Sequence, residues 1–328
     1  MANAGITQDE AEIYDRQIRL WGLEAQQSIR AAHVLIVGLN ALSNEVCKNI
    51  ALAGIGSLTL LDHAVVQEEN LGAQFLLKET DIGKNRAEAA APSILSLNPR
   101  VDIIVDKDDV KDKPDTFFQT FDIVCVAHGD IDILLRIDHL RRQIEKPFYA
   151  ADAFGWFGYI FCDLTKHAFI EERKTLPPGS KSTAEPVVTR TKQEELYTSL
   201  EESLRKDWSS MTPKALKKRV SPVSFLIHCL FKFQQEHKRV PGPEDSDLLV
   251  ELKPKYLQNM GISDASVLDD ALIRDLATLF ETEMAPVAAI LGGVLAQEMI
   301  KVLSKKELPI QNWFYYEGLN GSGLIHRV

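Results

Sequence analysis

The sequence predicts a doubly wound α/β fold: a mainly parallel sheet with helices on both faces and, late in the chain, a helical insert. Three observations carry that reading. Short, continuously apolar runs such as "HVLIVGL" and "FDIVCVA" have the pattern of strands buried on both faces. Segments with helical spacing separate these runs. The first run ends at Gly38, just before a helix start, as a nucleotide-binding βα turn does.

Residues 8–31 carry helical spacing. In "YDRQIRLWG", Tyr14, Ile18 and Trp21 fall at i, i+4 and i+7, an apolar stripe that stops at Gly22. At about 100° per residue, Arg16 lies about 200° round from Tyr14 and is expected to point away from that stripe. "HVLIVGL" is the first strand, and Leu42, Val46, Ile50 and Ala53 form one face of the helix after it, which ends at Gly54. "SLTLLDH", "VDIIVD" and "FDIVCVA" are further strands, with helices expected from Lys84 to Leu97 and from Ile131 to about Ile144. After "PFYAADAFG", the segments "GYIFCDL" and "HAFIEER" read as an antiparallel extension of the sheet.

From Thr175 to Lys192, "TLPPGSKSTAEPVVTRTK" has prolines, small polar residues and no period, and is expected to be a flexible loop opening the insert. Leu196, Leu200 and Leu204, spaced by four, and "SFLIHCLFKFQQEH" make the insert mainly helical. The chain closes on "EMAPVAAILGGVLAQEMIKVL", a helix beginning near Pro286, and then one or two strands. Gly292 and Gly293 inside that helix cost about 1 kcal/mol each relative to alanine, which points to close packing against another backbone. The expected organisation is one domain made of residues 1–172 and 283–328, interrupted by an insert over residues 173–282.

Composition narrows the function classes. At 328 residues, 45% apolar and 26% charged, the chain has the make-up of a globular protein with a large core. A net charge of −10 argues against a bulk electrostatic grip on nucleic acid. There is no run of about 18 apolar residues, and the N-terminus lacks the basic and apolar regions of a signal peptide. The reading is an intracellular protein with neither a nucleic-acid nor a membrane partner. Cys47, Cys125, Cys162 and Cys229 are scattered, without a C-x-x-C pair, so no metal site is expected and the thiols read as buried and inert. Cys229, beside His228 in "LIHCLFKF", has the look of a buried helix position rather than a nucleophile. "KALKKR" (214–219) reads as a solvated helix face, with a nuclear-import signal as the alternative.

The βα turn is glycine-poor. In "VGLNALSNEV" only Gly38 holds a glycine position of the G-x-G-x-x-G spacing, while Asn40 and Ser43 stand at the other two. A side chain at position 40 fills part of the space through which backbone would approach a phosphate. Asp62, 24 residues beyond Gly38, stands where an acid would accept hydrogen bonds from a ribose. Alone, these features occur in many α/β proteins that bind nothing there.

Four motifs in order say more. "YDRQIRLWG" before the first strand, "LLDHAVVQEENLGAQFLL" after the second, "DIGKNRAE" beyond it and the late "EMAPVAAILGGVLAQE" together resemble the adenylation fold of ubiquitin-like-protein activating enzymes of the ThiF/MoeB type. The length, the arm and the absence of a catalytic-cysteine domain resemble the branch of small subunits of heterodimeric SUMO-activating enzymes. The resemblance implies adenylation of the C-terminal carboxylate of a small protein with MgATP. It also implies a nuclear, and in part cytoplasmic, location.

Matched residue by residue, the resemblance implies a degenerate nucleotide site. "ENLGAQF" keeps Asn70, Leu71, Gln74 and Phe75, but Ala73 replaces a phosphate-binding arginine, and Arg86 stands where a lysine is expected. The magnesium-holding aspartate aligns with Gly129, next to Asp130. Gly38, Asp62 and Asn70 are then remnants, and no cofactor or metal is expected in this chain. ATP and magnesium would be bound by a larger catalytic subunit, which would also carry the thioester cysteine and recruit the conjugating enzyme. Arg16 is expected to act in trans, reaching the γ-phosphate in that partner's site. Arg19 is a supporting candidate. The alternatives are the regulatory half of the NEDD8-activating enzyme, a homodimeric adenylating enzyme, an NAD-dependent oxidoreductase using Asp62, and a plain scaffold.

Overall fold

The structure, a computed structural model, describes residues 6–175 and 187–328. Three short helices open it: α1 (Gln8–Ile13), α2 (Asp15–Trp21) and α3 (Leu23–Arg30). The α/β units follow: β1 (His33–Val37), α4 (Ala41–Ala53), β2 (Ser57–Leu61), α5 (Arg86–Leu97), β3 (Asp102–Asp106), β4 (Ile123–Ala127), α6 (Ile131–Gln143) and β5 (Phe148–Phe154). Next come β6 (Phe157–Asp163), β7 (Lys166–Thr175) and β8 (Val187–Leu196). The helices α7 (Leu200–Leu204), α8 (Pro213–Arg219), α9 (Pro222–His237), α10 (Ser246–Gln258) and α11 (Asp270–Leu279) lead to α12 (Ala285–Ser304), β9 (Asn312–Glu317) and β10 (Ser322–His326).

Among the described residues, eight strands form one sheet in the order β10-β9-β6-β5-β4-β1-β2-β3. From β3 to β5 the strands are parallel, and β6, β9 and β10 add antiparallel neighbours. The two faces separate by strand alternation. Leu35, Val37, Val124, Val126, Phe148, Tyr159 and Trp313 point to one side, where α6, α9, α10 and α11 pack. Val34, Ile36, Leu58, Ile123, Cys125, Tyr149 and Ile160 point to the other, against α4, α5 and α12. The expected parallel sheet with helices on both faces is present, and the helices after residue 200 share the core of one face.

Three local expectations are corrected. "HAFIEER" does not extend the large sheet: β7 pairs with β8 as a separate two-stranded ribbon. The flexible loop expected from Thr175 to Lys192 overlaps β8, because Val187–Leu196 is held in register by β7; residues 176–186 lie outside the described residues. Leu196 belongs to the end of that strand, not to a helical stripe with Leu200, and is 70% exposed while Leu200 is buried.

The paired glycines of α12 behave differently. A Cβ at Gly292 would lie 2.7 Å from the Leu42 carbonyl oxygen and 2.5 Å from Glu45 Cβ, so α12 and α4 cross at backbone contact there. Gly293 faces open space. By composition α12 is apolar enough to cross a membrane, but its apolar side is buried against α4 and the sheet.

Candidate functional site

The strand order reverses between β1 and β4, and in such sheets the crevice lies outside the carboxyl ends of those strands. A cleft of about 540 Å³ opens there, lined by Gly38, Asn40, Asp62, Asn70, Arg86, His128, Gly129, Asp130 and Glu283 among others. The structure thus brings together the sequence-predicted residues Gly38, Asp62 and Asn70 and places Arg16 elsewhere.

Gly38 has φ +82°, and a Cβ there would lie 2.3 Å from the Ala127 carbonyl oxygen. The one glycine kept in the turn is therefore required by the close approach of β1 and β4. The amides that would cradle a phosphate are engaged inside the protein. Leu39 N donates to Asp62 Oδ2 over 2.6 Å, Asn40 N to Ser43 Oγ over 2.7 Å, and Ser43 N to Asn40 Oδ1 over 2.8 Å. The last two form a reciprocal capping box at the start of α4. Ala41 N donates to the carboxylate of Glu283 over 2.8 Å. Glu283 Oε2 also accepts from Gln74 Nε2 at 2.9 Å. An anion already sits at this helix N-terminus, and it is the chain's own.

Asp62 is buried and engaged on both oxygens. Besides Leu39 N it accepts from Ala64 N at 2.8 Å, and Arg86 Nε pairs with it at 3.1 Å. Arg86 is thus folded onto the acid a ribose would need. Asn70 Oδ1 accepts from Gln67 N at 2.9 Å, closing a local turn. A side chain at Gly129 would press on Val126 Cγ1 and Leu134 Cδ2, at 2.7 and 2.8 Å from its Cβ. Asp130 caps α6 through Ile133 N at 3.0 Å and pairs with Lys111 at 3.3 Å. Glu69, Asp108, Asp109 and Glu281 add further carboxylates to the lining, a field that opposes a polyphosphate.

His128 is a member of the cleft that sequence reasoning missed. It follows β4 directly with φ +55°, and its Nδ1 lies 3.1 Å from the buried Asp152 carboxylate. The Asp152 charge holds its imidazole up to about 9, against burial, which pulls the other way. The ring is cationic at neutral pH. Its place at the end of a strand flanking the switch point was the available signal.

The thiols are as expected. All four are buried. Burial pushes Cys229 up to about 12 and His228 down to about 4, so neither is an active nucleophile or base at neutral pH. Among the described residues no cluster could hold a metal ion.

The arm lies at the other end of α4. Tyr14 is buried, while α2 has no buried residue at all. Gln17 Nε2 donates to the Leu52 carbonyl at 3.3 Å, and Gln26 Nε2 to that of Ala53 at 2.9 Å, so side chains from this segment cap the C-terminus of α4. Arg16 is exposed and makes no hydrogen bond or ion pair among the described residues. Arg19, by contrast, pairs with Asp15 at 3.0 Å on the same helix. The 13 residues of α4 separate the arm from the cleft by about 20 Å at 1.5 Å per residue.

The ThiF family model matches residues 14–327, the arm and the cleft together. The chain belongs to the ThiF family. Among curated relatives it is 39% identical over 339 residues to the SUMO-activating enzyme subunit 1 of Homo sapiens, covering 99% of this chain and 96% of the relative. The same subunit of Mus musculus is 40% identical over 95% of this chain and 92% of its own, and that of Danio rerio 39% over 98% and 95%. The solved structure of SeMet PaaA shares the fold, with a TM-score of 0.60 at 13% identity over all of this chain and 76% of that one. In this ThiF-family protein the polar groups of the cleft are turned inward on one another.

Proposed function

We propose that this ThiF-family chain is the non-catalytic half of a heterodimeric SUMO-activating enzyme. It pairs with a larger homologue that binds ATP and magnesium and carries the thioester cysteine, and the pair serves SUMO and then a conjugating enzyme, in the nucleus and cytoplasm. The observation that carries the reading is the position of Arg16: exposed, without a hydrogen-bond or ion-pair partner among the described residues, and on an arm set at the opposite end of α4, about 20 Å long, from the chain's own cleft. A guanidinium so placed is out of reach of the chain's own cleft and open to a nucleotide held by another chain. Identity of 39% to SUMO-activating enzyme subunit 1 over nearly the whole length supports the substrate class. Ile13, Leu20 and Leu23, exposed around the arm, offer an apolar surface to a partner.

In adenylation, a carboxylate oxygen of the substrate's C-terminus attacks the α-phosphorus of ATP, and pyrophosphate leaves. Negative charge accumulates on that leaving group. Arg16, donating to the γ-phosphate, offsets it with a charge-assisted pair. The chain's own cleft supports no second nucleotide in this reading, since its turn amides, Asp62 and Arg86 are spoken for internally.

The test is reconstitution with the larger subunit. Arg16→Ala should slow SUMO-dependent ATP–pyrophosphate exchange by about tenfold or more, with assembly intact. ATP titrated onto the isolated chain should give no saturable binding. An unchanged exchange rate would reduce the chain to a scaffold, and micromolar ATP or NAD binding would reopen the cleft as a working site.

A further inference from the structure

Resting on that reading, we infer that Tyr14 and Asn98 are positioning residues for Arg16. The helix that carries Arg16, α2, is seven residues long and buries none of them. A helix so short has little stability of its own, and its orientation must come from tethers to its neighbours; the bond from Gln17 Nε2 to the Leu52 carbonyl, at 3.3 Å and exposed, is one, and the buried ones are at its ends. The Asp15–Arg19 pair lies within the helix and is exposed, so it ties α2 to nothing.

Tyr14, two residues before Arg16, is the buried anchor. Its ring lies over Gly54, where a Cβ would stand 2.5 Å from Tyr14 Cζ. Its hydroxyl accepts from Asn98 Nδ2 at 2.8 Å. The same Nδ2 donates to the Ala51 carbonyl at 2.7 Å, and Asn98 Oδ1 accepts from Arg100 N at 3.1 Å. Asn98 is itself buried at the end of α5, so its amide is held from both sides. One side chain therefore binds the start of the arm to the C-terminus of α4. At the other end of α2, Trp21 Nε1 donates to Gln26 Oε1 at 3.0 Å, and Gln26 in turn holds the Ala53 carbonyl. The arm is registered on α4 by side chains, with Arg16 between the two tethers.

The experiment is a pair of mutant cycles in the reconstituted heterodimer, read by single-turnover adenylate formation with assembly and Tm measured alongside. Tyr14→Phe keeps the ring on Gly54 and removes only the hydroxyl; Asn98→Ala removes the bonds to both the Tyr14 hydroxyl and the Ala51 carbonyl and leaves the Trp21–Gln26 tether in place. Each should slow adenylate formation by about tenfold through misplacement of Arg16, with the KM for SUMO unchanged. Neither should slow it further in the Arg16→Ala background, whereas a merely structural role would slow both backgrounds alike. Equal losses in both backgrounds, or no loss where Arg16→Ala alone is slow, overturn the inference. Arg16→Ala without effect overturns the reading beneath it as well, and that outcome is seen before either cycle is run.

Discussion

Glu283 and Ala41 are 242 positions apart in the chain, yet the carboxylate of the first accepts a hydrogen bond from the amide of the second over 2.8 Å. The contact places a fixed negative charge at the N-terminus of α4, where a helix dipole and unpaired amides would otherwise attract an external anion. Its second oxygen holds Gln74, a residue of the "ENLGAQF" motif.

Glu283→Ala should therefore lower stability by about 1–2 kcal/mol, the worth of a charge-assisted bond to a helix end. Denaturant unfolding measures this. ATP binding should not appear in the variant, because Leu39, Asn40 and Ser43 keep their internal partners. Saturable binding would mean that Glu283 alone closes the cleft.

The His128–Asp152 pair predicts a pH dependence. The folded imidazole is held at about 9 by the Asp152 charge, above its ordinary 6.5. A cation whose folded value is raised contributes stability that is complete below the ordinary value and lost as pH rises through the folded one. Between pH 6.5 and about 9 stability should fall through this group, and His128→Asn should flatten that part of the Tm-against-pH curve. An equal slope in the variant would show that the pair does not form.

Two adjacent glycines should respond with opposite signs. Gly293 faces open space in α12, so Gly293→Ala should stabilise by about 0.5–1 kcal/mol through helix propensity. Gly292→Ala places its Cβ 2.7 Å from the Leu42 carbonyl oxygen and should destabilise by about 1–3 kcal/mol as α12 is pushed off α4. Urea midpoints of the two variants decide it.

The layered α/β architecture was legible because its causes are local. Continuous apolar runs are strands buried on both faces, and the 3.6 period of Leu42, Val46 and Ile50 is a helix face. The ribbon of β7 and β8 was not legible, since β8 is polar, "VVTRTKQEEL", and is held by pairing with β7. Strand pairing of that kind is a tertiary choice that overrides composition. His128 was passed over for a similar reason: a lone histidine becomes a cation only when a strand 24 residues away brings Asp152 to its ring.

The sequence by itself determined that the βα turn holds a glycine at only one position of the G-x-G-x-x-G spacing, and that Arg16 lay on the solvent side of its segment. Both follow from residue type and helical phase, which act over a few positions. Only the tertiary structure decided which side chains occupy the turn amides and how far the arm stands from them. Glu283, Arg86 and Asp62 line one cleft because the segment before α12, the start of α5 and the turn after β2 converge on one end of α4, and Tyr14 and Asn98 meet because the end of α5 returns to the other. Such meetings between distant positions are set by the packing of whole elements against the sheet, which no local pattern encodes.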